Sequence, residues 1–90
     1  MMERQQVLAR FTEFVQKNLV PPSEPNYWAA EDAYRAVRYQ QLLEEARLVY
    51  RLLRAGGDSV TILERFQSRK IRTGIEANAL TRLIAEVKRG

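Results

Sequence analysis

A cluster of cations stands directly before a predicted helix start in the segment QSRKIRTGIEAN, residues 67–78. Free backbone N–H groups and the positive end of the helix dipole favour an anion at such a position. Thr73 is a candidate cap, and Gly74 has no side chain to keep a phosphate oxygen from the backbone. The segment predicts a phosphate site, with a solvated basic turn as the alternative reading. Its candidate residues are Arg65, Arg69, Lys70, Arg72, Thr73 and Gly74.

A second basic arrangement consists of Arg47, Arg51 and Arg54, which are spaced at i, i+4 and i+7. This spacing puts the three guanidinium groups on one face of a helix, where like charges repel one another. An anionic partner would remove that repulsion. The alternative is a solvated face in which Glu44 pairs with Arg47.

The charge is unevenly distributed along the chain, whose net charge is +4. Residues 1–45 carry five Lys and Arg against seven Asp and Glu, a net −2, whereas residues 46–90 carry ten against four, a net +6. Twelve of the fifteen cations are Arg, whose planar group suits phosphate and carboxylate partners. The second half therefore favours the phosphate backbone of a nucleic acid or an acidic protein surface as partner.

The residue types argue against catalysis and against a bound metal or cofactor. The chain has no His and no Cys, so the usual general base, thiol nucleophile and soft metal ligands are missing. The paired carboxylates Glu31/Asp32 and Glu44/Glu45 are adjacent in sequence and point about 100° apart on a helix. We expect a non-enzymatic binding protein without a metal or cofactor.

Four aromatic residues are candidates for a partner interface. Tyr34 and Tyr50 lie on apolar stripes of a predicted long helix, which favours the core or a subunit interface over base stacking. Tyr27 and Trp28 follow the connector PPSEPN, where a Trp at a helix start is suited to anchor a partner.

These residues require a set of helices to position them. Apolar spacing and turn residues predict helices over about 3–19, 27–55 and 60–69, and a fourth helix that follows the cap Thr73 and includes Lys88 and Arg89 in its last turn. No window alternates as a strand does. Gly56 and Gly57 predict that the long helix ends in a left-handed conformation, and Asp58 or Ser59 is the predicted cap of the next helix. Thr73 and Glu76 have the spacing of a capping box at the start of the last helix. The sequence predicts a single all-α domain over residues 1–90, a small bundle of three to four helices with one long central helix at about 27–55.

The long helix has two apolar stripes, which one packed neighbour cannot cover. We therefore expect both stripes to be buried, partly by another chain, so that the protein is a homo-oligomer or a subunit of a larger complex. The first stripe comprises Ala29, Ala33, Ala36, Tyr39, Leu43, Ala46, Tyr50 and Leu53, and the second comprises Ala30, Tyr34, Val37, Leu48 and Leu52.

The leading hypothesis from the sequence is a small nucleic-acid-associated subunit or regulator that contacts DNA or RNA phosphates through its Arg-rich second half. The alternative is a protein-interaction module, an oligomerising adaptor or an inhibitor that docks on a larger enzyme. A helix-turn-helix built from the last two helices and a basic helix on a membrane are weaker alternatives. With no apolar span and no signal-peptide pattern, we expect a cytoplasmic protein that binds no membrane.

Overall fold

The computed structural model describes residues 2–19, 30–69 and 74–90, and these residues form four α-helices without any strand. The helices are α1 (Arg4–Asn18), α2 (Ala30–Ala55), α3 (Ser59–Arg69) and α4 (Gly74–Arg89). The expectation of a small all-α bundle is confirmed. With 26 residues α2 is the longest of the four.

The corner between α2 and α3 is formed by local residues. The N–H groups of Gly56 and Gly57 donate to the carbonyls of Leu53 and Leu52, and Gly56 has a φ of 109°, which together define a Schellman motif. Arg4 closes the same helix end, because its Nη1 donates to the Leu53 carbonyl over 3.1 Å. The predicted left-handed end of the long helix is thus confirmed.

Asp58 is the cap of α3. Its Oδ2 accepts hydrogen bonds from the backbone N–H of Thr61, over 3.0 Å, and from the Thr61 hydroxyl. These two bonds favour the ionised carboxylate and hold the pKa of Asp58 below its ordinary value, the hydroxyl bond having the larger effect. Of the two predicted caps, Asp58 performs this role. The predicted capping box joins Thr73, which lies outside the described residues, to the side chain of Glu76, whose contacts lie outside them as well.

Each helix packs against two neighbours, so that α1, α2, α3 and α4 form a closed ring of interfaces in which α4 returns to α1. Phe11 lies at the centre, with its ring centroid 5.9 Å from that of Phe14 and 6.0 Å from that of Phe66. The core is entirely apolar among the described residues. It comprises Val7, Phe11, Phe14, Leu19, Leu42, Ala46, Val49, Leu53, Leu63, Phe66, Leu80, Leu83, Ile84 and Val87.

The α1–α4 interface is joined by polar contacts across the length of the chain. Arg10 donates through Nε and Nη2 to the two carboxylate oxygens of Glu86 at 2.9 and 2.8 Å, and Nη1 pairs with Glu13 at 2.8 Å. These bonds and charges raise the pKa of Arg10, with the Glu86 hydrogen bonds as the largest cause. The Met2 N–H also donates to the Val87 carbonyl.

The predicted stripes of α2 require a correction. The buried α2 residues are Leu42, Ala46, Val49 and Leu53, which follow a spacing of four, three and four. Leu42 and Val49 belong to neither predicted stripe, and Tyr50 of the first stripe is 36% exposed. The reason is that α1 and α3 approach α2 from a direction between the two predicted faces, so Tyr50 of the first stripe and the four large side chains of the second stripe stay exposed.

Candidate interaction surface

An apolar face of α2 remains exposed beside the buried one. Four large hydrophobic side chains occupy it, and we call them the α2 stripe: Tyr34, Val37, Leu48 and Leu52, which are 68%, 57%, 41% and 45% exposed. At 100° per residue the stripe points about 100° away from the buried α2 residues. Among the described residues nothing on α2 before Leu42 is buried, so the first part of the stripe precedes the core.

A groove of about 400 Å³ runs between α2 and α3 beside the stripe. Leu48 and Leu52 line it from α2, and Ile62 and Phe66 line it from α3. Charged and polar groups at the same groove are Glu45, Arg65 and Ser68. The groove is therefore an apolar slot with one carboxylate and one guanidinium at its edges, the composition of a small recognition site.

Glu45 has an unusual environment within this groove. Its Oε2 is inaccessible to solvent and receives no hydrogen bond in the described part of the chain. Most buried polar atoms have a hydrogen-bond partner, because desolvation without one costs free energy. Because the chain's own atoms cover Oε2, a donor from outside the chain could reach this oxygen only after the Glu45 side chain moved.

The Arg residues predicted as a ridge lie on the solvent side of α2. Arg47, Arg51 and Arg54 are all exposed. None of the three has an ion-pair partner among the described residues of any helix, and Arg47 does not pair with Glu44. The ridge is a free cationic surface that flanks the α2 stripe.

Half of the residues of the predicted phosphate site lie within the described ranges. Lys70, Arg72 and Thr73 lie outside the described residues, as do Tyr27 and Trp28 of the predicted partner interface. Arg69 is the last residue of α3 and Gly74 is the first residue of α4. The structure describes the backbone of these two residues and not their contacts. Arg65 is exposed and lines the α2–α3 groove rather than a described phosphate cradle.

Tyr34 and Tyr50, the other two predicted interface residues, are not brought together. Tyr34 belongs to the α2 stripe, whereas Tyr50 lines a second groove of about 270 Å³ between α1 and α2, together with Phe11, Val15 and Leu43. Sequence reasoning did not select Glu45 or Ile62 as site residues. One feature of the sequence could have identified Glu45. It occupies a position at helical spacing between Tyr34 and Leu52, so a charged residue interrupts an otherwise apolar stripe.

Metal-binding groups and membrane-crossing helices are both absent from the described residues. Over residues 2–19, 30–69 and 74–90 no group of three or more acidic side chains is placed to hold a metal ion. Within the same ranges, no helix combines the length and the hydropathy that a membrane crossing requires. No family model, curated protein or solved structure matches this chain.

Proposed function

We propose that this chain is a non-enzymatic protein-interaction module that binds a protein through the α2 stripe and the adjoining groove. The observation that carries the proposal is the exposure of four large hydrophobic side chains on one face of one helix. Single exposed hydrophobic residues are common, but a grouped apolar face rimmed by charge is typical of an interaction site. The absence of His and Cys from the sequence supports binding over catalysis.

The test is site-specific photo-crosslinking in the cells from which the chain derives. A benzoylphenylalanine at position 37 or 48 should form a covalent adduct with a protein, whereas one at Ala9, which is exposed on α1, should not. Leu48→Glu should then abolish binding of the purified, identified partner. Absence of any adduct from the stripe, or equal adducts from position 9, would refute the proposal.

A second candidate function is nucleic-acid binding through phosphate contacts, and the exposed, unpaired ridge of Arg47, Arg51 and Arg54 favours it. The net +6 of residues 46–90 adds long-range attraction for a polyanion. Phosphate contacts confer affinity with little sequence preference. The ridge and the stripe are distinct faces of α2, so one molecule can use both.

Fluorescence anisotropy with generic duplex and single-stranded oligonucleotides over a salt series tests this second function. Arg51→Ala/Arg54→Ala should flatten the logarithmic salt slope by about two, because each phosphate contact contributes about 0.9 on a duplex. The matched control Lys17→Ala/Arg89→Ala removes the same charge from α1 and α4. Equal effects of the two double variants would show that net charge, and not the ridge, governs binding.

The basic turn is tested in the same assay as a prediction from the sequence. Arg69→Ala/Arg72→Ala should weaken duplex and single-stranded binding alike and flatten the slope by about one to two. An unchanged slope would mean that the turn only keeps the chain solvated there.

A further inference from the structure

We infer that the partner bound by the α2 stripe is a second copy of this chain, packed antiparallel about a two-fold axis that crosses the stripe at the level of residue 43. The inference rests on the proposed protein-interaction function and names its partner. It follows from the order of residues along the exposed face of α2.

The exposed face reads nearly the same in both directions. Tyr34 and Leu52 each lie nine residues from position 43, and Gln41 and Glu45 each lie two residues from it. The remaining pair, Val37 and Leu48, lies six and five residues away, a mismatch of one residue or about 1.5 Å along the helix. A face with this symmetry is self-complementary, which is the requirement for an isologous dimer.

The antiparallel arrangement covers the exposed hydrophobic residues with one another. Tyr34 of the second copy meets Leu52, and Val37 of the second copy meets Leu48. The Tyr34 ring then enters the groove beside Ile62, where about 400 Å³ is open. Each of these contacts occurs twice, because the two-fold operation repeats it.

The polar residues at the centre are complementary as well. Gln41 is exposed, and its side-chain amide has two N–H donors. In the antiparallel dimer it lies opposite Glu45 of the second copy, whose carboxylate has a buried oxygen without a hydrogen bond. The Gln41 amide donates to the Glu45 carboxylate, which fixes the register of the two helices. A bond to the unsatisfied Oε2 itself requires a change of the Glu45 rotamer, because the chain's own atoms cover that oxygen.

The size of the face sets the expected affinity. The stripe extends from Tyr34 to Leu52, a rise of about 27 Å along a helix roughly 10 Å wide, so the buried area falls at the low end of specific interfaces. We expect a dissociation constant in the micromolar range.

Sedimentation of the purified chain from about 1 to 500 μM tests the inference. The unmodified chain should convert from monomer to dimer across this range, and Leu48→Glu should remain monomeric. Leu48 is exposed in the single chain, so the variant should keep its helix content by circular dichroism. Ala9→Glu, the same introduction of a carboxylate at an exposed helical position of α1, should dimerise as the unmodified chain does. A monomer throughout the range, or equal loss in both variants, would overturn the inference.

Substitutions at Gln41 test the register. Gln41→Lys should tighten the dimer by about tenfold, because it creates two ion pairs with Glu45, and Gln41→Glu should weaken it by a similar factor. If Gln41 lay outside the interface, the Lys and Glu substitutions would not change the dissociation constant of the dimer in opposite directions. Changes of the same sign, or none, would refute the antiparallel arrangement centred at the level of residue 43.

The outcomes also separate this inference from the proposed function. If the chain stays monomeric while position 48 crosslinks to a different protein, the second copy is refuted and the interaction module stands. If the chain is monomeric and no adduct forms, both fail.

Discussion

Replacement of Phe11 by Leu is the sharpest test of the described core. Phe11 is only 1% exposed and forms both ring contacts of the described residues, one with Phe14 of its own helix and one with Phe66 of α3. The Phe66 contact is edge-to-face, with an interplanar angle of 71°, and it links two helices that are diagonal in the ring. Phe11→Leu removes both ring contacts while keeping an apolar side chain.

The size of the effect follows from these contacts. Each aromatic pair contributes about 0.5–1.5 kcal/mol beyond the area it buries, so Phe11→Leu should lower the free energy of unfolding by about 2 kcal/mol. Phe11→Ala should cost about 3–5 kcal/mol, because it also leaves a cavity. A 90-residue chain has a total stability of about 5–13 kcal/mol, so the Leu variant folds and can be measured.

Urea unfolding followed by far-ultraviolet circular dichroism supplies the measurement. The coupling energy between Phe11→Leu and Phe66→Leu should be about 0.5–1.5 kcal/mol in a double-mutant cycle. The control cycle uses Phe14→Leu with Phe66→Leu, a pair without a ring contact in the described structure, and should give a smaller coupling. Equal couplings in the two cycles would refute the placement of Phe11 at the centre.

Three further predictions concern the helix ends and the α1–α4 interface. Gly56→Ala should lower the free energy of unfolding by about 1–2 kcal/mol in urea titrations, because φ is 109° and the new Cβ would lie 3.1 Å from Arg4 Nη1. An unchanged free energy of unfolding would contradict the Schellman motif. Asp58 has a depressed pKa in the folded chain, so its contribution is present above its ordinary pKa of 3.8 and is lost as pH falls through the folded value. The melting temperature of Asp58→Asn should therefore be lower than that of the unmodified chain at about pH 6, and the difference should vanish at about pH 2. Arg10→Gln should lower the melting temperature because it removes the bidentate contact with Glu86, and the decrease should be smaller in about 1 M salt. A decrease that does not depend on salt would argue against an ionic contact.

The sequence suffices for features that depend on residues close together in the chain. The α4 residues Leu80, Leu83, Ile84 and Val87 recur in the sequence at spacings of three, one and three, as one face of a helix does, and all four are buried. The helix end at Gly56 and the cap at Asp58 were predicted as well, because each depends on hydrogen bonds within a few residues.

Features of the long helix and of the candidate surface depend on packing between helices. The apolar residues of α2 point in many directions, so the spacing alone does not distinguish the buried Leu42 and Val49 from the exposed Leu48 and Leu52. The environment of Glu45 depends on the approach of α3. The Arg10–Glu86 contact joins residues 76 positions apart, a separation at which helical periodicity carries no information.

The closed ring of helix interfaces has a consequence for the folding pathway. Three of its four interfaces join consecutive helices, which corresponds to low contact order and to folding on the microsecond to millisecond scale. The α1–α4 interface joins the two ends of the chain and requires the longest loop closure, so we expect it to form after the main folding barrier. Substitutions there, at Arg10 or Val87, should accelerate unfolding and leave the refolding rate almost unchanged.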